Sequence, residues 1–154
     1  MLQRIPGVAL LAGCLVVAFA GVAVADVDLS KLPEGPIRDR VALMEEIGAA
    51  AKKINEAVKA GDNAAAIAPA EEIARLAPKF PTLFPEGSTD PNARAKKTIW
   101  TNPDEFEAYN EYMAKYATAI ATAARDGGNV KAATKKMFKS CKTCHQKYRI
   151  PDDD

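Results

Sequence analysis

Cysteine is scarce in this chain. There are three in 154 residues, and two of them, Cys141 and Cys144, stand in one short run. A small exported domain built on disulfides needs several spaced pairs, so that class is excluded. An excess of charge of one sign is missing too. Twenty-one Lys and Arg face 20 Asp and Glu, for a formal net charge of +1. Such a balance makes no electrostatic case for nucleic acid or a membrane surface as partner. Regular alternation of apolar and polar residues is lacking as well, so no segment reads as a convincing strand. Histidine occurs once, as His145.

What is present begins with an address. Arg4 supplies one positive charge, 8–24 is almost wholly apolar, and Ala23-Val24-Ala25 is a small-residue box followed by Asp26. That order reads as a cleaved secretory signal peptide over 1–25, leaving 26–154 as one domain in the periplasm. Loss of Arg4 brings the formal charge to zero. Leu11-Ala12-Gly13-Cys14 resembles a lipobox, but Cys14 sits in the middle of the apolar stretch, not at its end. The same stretch is about long enough to span a bilayer. The cleavage box favours removal, so no stable membrane anchor is expected. Asp152 to Asp154 read as a solvated tail.

The remainder is rich in alanine, lysine and glutamate, with apolar residues recurring at three and four. Four helices are predicted, at about 36–60, 62–77, 103–125 and 130–148. The first carries Ile37, Val41, Met44, Gly48, Ala51, Ile54 and Val58 on one stripe. Pro36 suits its start and Gly61 its left-handed stop. The second has Pro69 inside it and is predicted either to kink there or to become regular only near that residue. In the third, Asn102 can cap and Glu105 sits where a capping box wants it. Its repeat is Phe106, Tyr109, Met113, Tyr116, Ile120 and Ala123. The fourth, capped by Asn129, aligns Val130, Thr134, Met137, Cys141, Cys144 and Tyr148. Short connections between helices favour an all-α, antiparallel four-helix bundle. The long connection 78–102 holds four prolines, is anchored by Leu83, Phe84, Ile99 and Trp100, and has room for a short helix near 93–99.

Cys141-Lys142-Thr143-Cys144-His145 carries the chemistry. Cys-x-x-Cys-His is the attachment signal for haem c. Two thiols must reach the two vinyl groups of one porphyrin, while the adjacent imidazole points at its iron. Residues three and four apart share a helical face, so all three can meet one flat cofactor. His145 has no competing imidazole as ligand. A zinc site wants about four ligands and finds three here. A thioredoxin-like dithiol expects a βαβ setting with the reactive cysteine at a helix start; here the pair ends a long helix.

Cys141 to Arg149, at the end of a fourth helix, resembles the class II cytochromes c, the cytochrome c′ superfamily. Arg40-Val41-Ala42-Leu43-Met44 is similar to the distal-side segment of that family. Ile99-Trp100 with Phe106 is similar to its loop into the third helix. The resemblance covers essentially the whole chain after the signal peptide. Pro69 and the proline-rich loop depart from the family pattern.

The resemblance implies one covalent haem c whose sixth iron position is either empty or filled by a methionine of the first helix. Met44 falls at that methionine's position, four residues after the matching Arg40. Met137 lies about two turns before His145 on its own helix, and Met113 sits in a core stripe, where gap filling is the usual role. The implied protein is no enzyme but a one-electron carrier with low-spin His145/Met44 iron. The alternative is a high-spin protein that binds nitric oxide or carbon monoxide. Peroxidase chemistry lacks a distal histidine. Arg40 and Arg149 are implied partners of the haem propionates, because a guanidinium pairs bidentately with a carboxylate. Tyr148 is implied to pack beside the haem. Redox proteins are the expected partners, and a homodimer through the first two helices is allowed.

Overall fold

The computed structural model describes residues 27–151. The signal peptide, Cys14 and the aspartate tail lie outside the described residues. After a short 3-10 turn at Leu29–Lys31, the chain forms α1 (Pro36–Ala60), α2 (Ile67–Leu76), α3 (Thr98–Thr101), α4 (Pro103–Arg125) and α5 (Val130–Tyr148). Among the described residues there is no strand, and the one backbone bridge joins Ala95 to Arg149. The all-α fold is as predicted. The four longer helices make an antiparallel bundle. α4 is the central element, packed on α2 and on α5, while α1 covers α2 and touches α5 more lightly.

The helix ends follow local chemistry. Pro36 lies in the first turn of α1, where no amide hydrogen is needed. Gly61 stops α1 at φ +74°, donating back to Ala57 and Val58. Between α4 and α5, Gly127 is left-handed at φ +71°. The Gly128 N–H then reaches back to the Ala123 carbonyl at 2.7 Å. A side chain at Gly128 would press on Ala123 at 3.2 Å. The Asn129 side chain caps α5 by accepting from the Ala132 amide at 2.9 Å.

Of the two readings of the second helix, the later start holds, and two other local expectations are corrected. The helix expected over 62–77 is regular only from Ile67. A 3-10 turn, Ala64–Ala66, leads into it, so Pro69 falls in the first turn and kinks nothing. The buried stripe of α1 is rotated: Arg40, Ile47, Ala50, Ile54 and Ala57 point inward, whereas Gly48 is exposed. Asn102 makes no side-chain cap, and Glu105 is committed elsewhere, as described below.

Two apolar clusters organise the interior. The main core runs between all four long helices and includes Ile54, Ile73, Ile120 and Met137. Each fully buried isoleucine contributes about 2 kcal/mol of transfer free energy. The second cluster sits at one end of the bundle. Phe80, Ile99, Phe106 and Tyr148 are its buried members. The loop between α2 and α4 supplies half of it, through short turns at Ala77–Lys79 and Pro81–Leu83 and through α3.

Candidate functional site

The stripe Val130, Thr134, Met137, Cys141, Cys144 and Tyr148 faces inward along α5, as its spacing predicts. Its first half enters the main core. Cys141 packs against that core, while Cys144 belongs to the second cluster. The two thiols therefore stand at the seam between the clusters. Both are half-buried, and no disulfide joins them. Burial, and for Cys144 also its neighbour Cys141, raises their pKa values; Cys144 is pushed up to about 12. A catalytic dithiol needs the opposite shift. His145 follows at an exposed position of α5. Partial desolvation of its ring, then the Arg149 cation, lowers its pKa. The neutral imidazole, the form that ligates a metal, is favoured. Among the described residues, no three His, Cys, Asp or Glu side chains converge as a metal cage.

Met44 is half-buried on α1 and touches both clusters, as does Leu43. Met113 and Met137 are buried in the main core alone. Of the three described methionines, only Met44 shares a cluster with Cys144 and Tyr148.

Arg40 is neither an exposed charge nor idle. It is 2% exposed. Its guanidinium donates to the Ser88 hydroxyl at 2.9 Å, to the Ser88 carbonyl at 2.7 Å and to the Leu83 carbonyl at 3.4 Å. It also lies 4.6 Å from the centre of the Phe84 ring. Arg40 thus pins the loop onto α1. Its Nε is buried without a hydrogen-bond partner, a donor that an acidic group could satisfy. Arg149 caps α5, its amide donating to the His145 carbonyl at 3.0 Å. Burial and the nearby Arg94 lower its pKa. Arg94 is the one described non-glycine residue with positive φ, at 52°. Its carbonyl accepts from the Ile150 amide at 2.8 Å, and the Lys96 amide donates to Tyr148 at 2.9 Å. The loop is stitched to the end of α5 directly beside the motif.

The second cluster is aromatic. Phe84 packs edge-on to Phe80 at 5.0 Å and to Phe106 at 4.8 Å, and Phe106 meets Tyr148 at 5.3 Å. Trp100 anchors the loop by donating to the Phe84 and Pro85 carbonyls. A cleft of about 330 Å³ opens on the outer side of these rings, over Phe84, Ile99, Trp100 and Phe106. A groove of about 450 Å³ lies over Asp39, Leu43 and Lys79. Neither is lined by the motif, so chemistry marks the site better than concavity does.

Glu105 is the residue that sequence reasoning placed wrongly. Instead of closing a capping box, it crosses to α5, accepting from the Tyr148 hydroxyl at 2.8 Å and pairing with Lys147. No periodicity signals such a link. Lys147 first, then Tyr148, holds the Glu105 carboxyl below its ordinary range. Its contribution to stability is therefore complete above that range and fades as pH falls through the lowered value. Glu105→Gln is expected to unfold at lower urea concentration than the parent at neutral pH. The difference should vanish in acid, where both side chains are uncharged.

A flat cofactor suits these residues: two inward thiols, an adjacent neutral imidazole, an apolar aromatic wall and a buried guanidinium with an unmet donor. A helical bundle so equipped at the end of its last helix is the architecture of a haem-binding cytochrome. A sequence model of the family described as Cytochrome C' matches residues 35–149. Cytochrome c′ of Rhodopseudomonas palustris is 32% identical over 92% of this chain and 94% of its own. Cytochrome c-556 of Agrobacterium fabrum is 35% identical over 75% of this chain and 82% of its own. The crystal structure of cytochrome c′ from Thermochromatium tepidum superposes with a TM-score of 0.66 at 29% identity, covering 74% of this chain and 94% of that one. The chain belongs to the cytochrome c′ family, and is a mono-haem cytochrome of the c′/c-556 kind.

Proposed function

We propose that this chain is an exported one-electron carrier holding a single haem c, with His145 and Met44 as its axial ligands. The observation that carries this reading is the membership of the aromatic cluster: Met44, alone of the described methionines, borders the same cluster that Cys144 borders and Tyr148 helps to form. When bound, the haem supplies an iron that changes by one electron. Everything else falls to the chain. Cys141 and Cys144 anchor the group through thioethers and offer no free thiolate. His145 donates a neutral nitrogen. Met44 donates a soft sulfur, which favours the reduced state and raises the potential. Arg40 and Arg149 would offer guanidinium donors to its acidic groups. The phenylalanines keep water from the interior and the environment stiff, which suits electron transfer better than substrate turnover. Residues 1–25 supply the export signal to the periplasm. Among the described residues no helix is long and apolar enough to cross a membrane.

The test is the visible spectrum of purified holoprotein, oxidised and reduced, with and without carbon monoxide. A low-spin spectrum with a sulfur-to-iron charge-transfer band supports the carrier. A high-spin spectrum with immediate carbon monoxide binding overturns it in favour of a gas-binding protein. What favours that second reading is that Met44 packs against both clusters, a place that ordinary core packing accounts for without iron.

Charge is balanced over the chain but not over its surface. α5 carries Lys131, Lys135, Lys136, Lys139, Lys142 and Lys147, all exposed, and no acidic residue. The motif lies on this basic helix, which suits a redox partner with an acidic face. Oxidation of the reduced protein by ferricyanide should slow as salt is added, and by a cationic cobalt complex should quicken. Lys139→Glu with Lys142→Glu should flatten both trends in stopped-flow traces.

A further inference from the structure

All four tyrosines of the chain lie in one file. Tyr148 is 5% exposed and packs with Cys144 in the aromatic cluster. Its ring centre is 6.1 Å from that of Tyr109, which is 6.4 Å from Tyr112, which stacks on Tyr116 at 6.3 Å. Tyr112 is 47% exposed. The file thus leads from beside the haem-attachment motif to open solvent. Tyr109, Tyr112 and Tyr116 are neighbours on α4 by helical spacing alone. Tyr148 joins them from α5, and its hydroxyl already donates to a carboxylate, Glu105, at 2.8 Å. On its other side Tyr148 touches Phe106, then Phe84 and Trp100. Phenylalanine rings are far harder to oxidise than phenols, so a hole meets no oxidisable stop on the way to Trp100, whereas the tyrosine file offers one at every step.

We propose that Tyr148, Tyr109 and Tyr112 form a relay that carries oxidising equivalents from beside the haem-attachment motif to the surface when excess hydrogen peroxide displaces Met44 and reacts there, a slow side reaction that needs no distal histidine and is not enzyme turnover. Peroxide takes up two electrons and two protons and becomes two waters. Each electron comes from a tyrosine, which also gives up its phenolic proton. At Tyr148 that proton passes along the existing hydrogen bond to Glu105. Tyr109 returns an electron to Tyr148, and the proton comes back from Glu105. Tyr112 refills Tyr109 in the same way, with proton exchange through solvent. Each passage leaves Tyr112 short of one electron and one proton. Tyr112 of a second copy refills the first copy's Tyr112 once, so that the second equivalent leaves both Tyr112 side chains as radicals, which couple through carbon. One peroxide and two tyrosines thus give two waters and one dityrosine. The relay rests on the haem reading above, and its purpose is to spare the haem and Met44 from oxidation.

The experiment uses holoprotein whose covalent haem is first confirmed by spectrum and mass. Excess peroxide is added, with freeze-quench electron paramagnetic resonance, dityrosine fluorescence and peptide mapping as readouts. A tyrosyl signal and a dimer joined at Tyr112 are expected. Tyr109→Phe, which keeps the ring and removes the phenol, should suppress the Tyr112 cross-link several-fold and hasten bleaching of the haem. Tyr148→Phe should do the same as a second break in the file. Tyr112→Phe should keep the radical signal and lose the dimer. The Cys141→Ser/Cys144→Ser chain, without attached haem, should form no cross-link. Undiminished cross-linking at Tyr112 in both Tyr109→Phe and Tyr148→Phe, or in the haem-free chain, means that peroxide reaches Tyr112 from solution and overturns the relay. A purified parent without covalent haem overturns the underlying reading instead, before any peroxide is added.

Discussion

Met44→Ala is expected to convert a low-spin protein that ignores carbon monoxide into a high-spin one that binds it at once. The sulfur-to-iron charge-transfer band should disappear from the oxidised spectrum. The reduction potential should fall by a part of the range of about 0.8 V that axial ligands span in haem proteins, because a soft donor to ferrous iron has been removed. The change should cost only about 1–2 kcal/mol of stability, less than a fully buried methionine, since Met44 is half-buried. Spectroscopic and thermal effects thus separate. Met113→Leu, in the main core, serves as the control and should leave the spectrum unchanged. If Met44→Ala also leaves it unchanged, the sixth ligand is not this residue.

The second large effect is expected at the motif. Cys141→Ser with Cys144→Ser should abolish covalent attachment, so that acid acetone strips all haem from whatever holoprotein forms. The serine hydroxyls fill the space of the thiols without their reactivity. Mass spectrometry of the purified chain reads the result directly: the parent carries the added mass of one haem, the double variant none. The bundle itself should still form, because Cys141 only borders the main core and its buried members, Ile54, Ile73 and Ile120 among them, are unchanged. Retention of a haem-sized adduct would place the attachment elsewhere.

Much of this was legible in the residues alone. The α5 stripe was plain because Val130, Thr134, Met137, Cys141, Cys144 and Tyr148 keep helical spacing, and α5 is amphipathic along its whole length. The Asn129 cap and the Gly61 stop were plain because each uses a residue type whose local physics points one way. The α1 stripe was misjudged by about one residue because alanines occur on several of its faces and make a poor compass. Arg40 was the costliest ambiguity there. A charged side chain is ordinarily assigned to solvent, and nothing local announces that Ser88 and Leu83, more than 40 residues on, will turn their carbonyls toward it. Glu105 failed for a related reason. Its position fits a capping box, but Tyr148 and Lys147 compete for the same carboxylate from across the bundle. Long-range polar contacts leave no periodic trace.

The glycine turn between α4 and α5 bears on the order of assembly. Gly127 and Gly128 close that hairpin with a handful of residues, at little loop entropy. Local pairings of this sort form early, since distant contacts must wait for larger stretches of chain to be immobilised. Zipping from that turn first pairs the facing ends of α4 and α5, and only at the far end of the hairpin, 39 residues apart, does Tyr109 meet Tyr148. The Arg40 bonds to Leu83 and Ser88 close over a similar 43 and 48 residues. Both walls beside the cysteines therefore belong to the later contacts, and a bulky planar group is most easily taken up before either is in place.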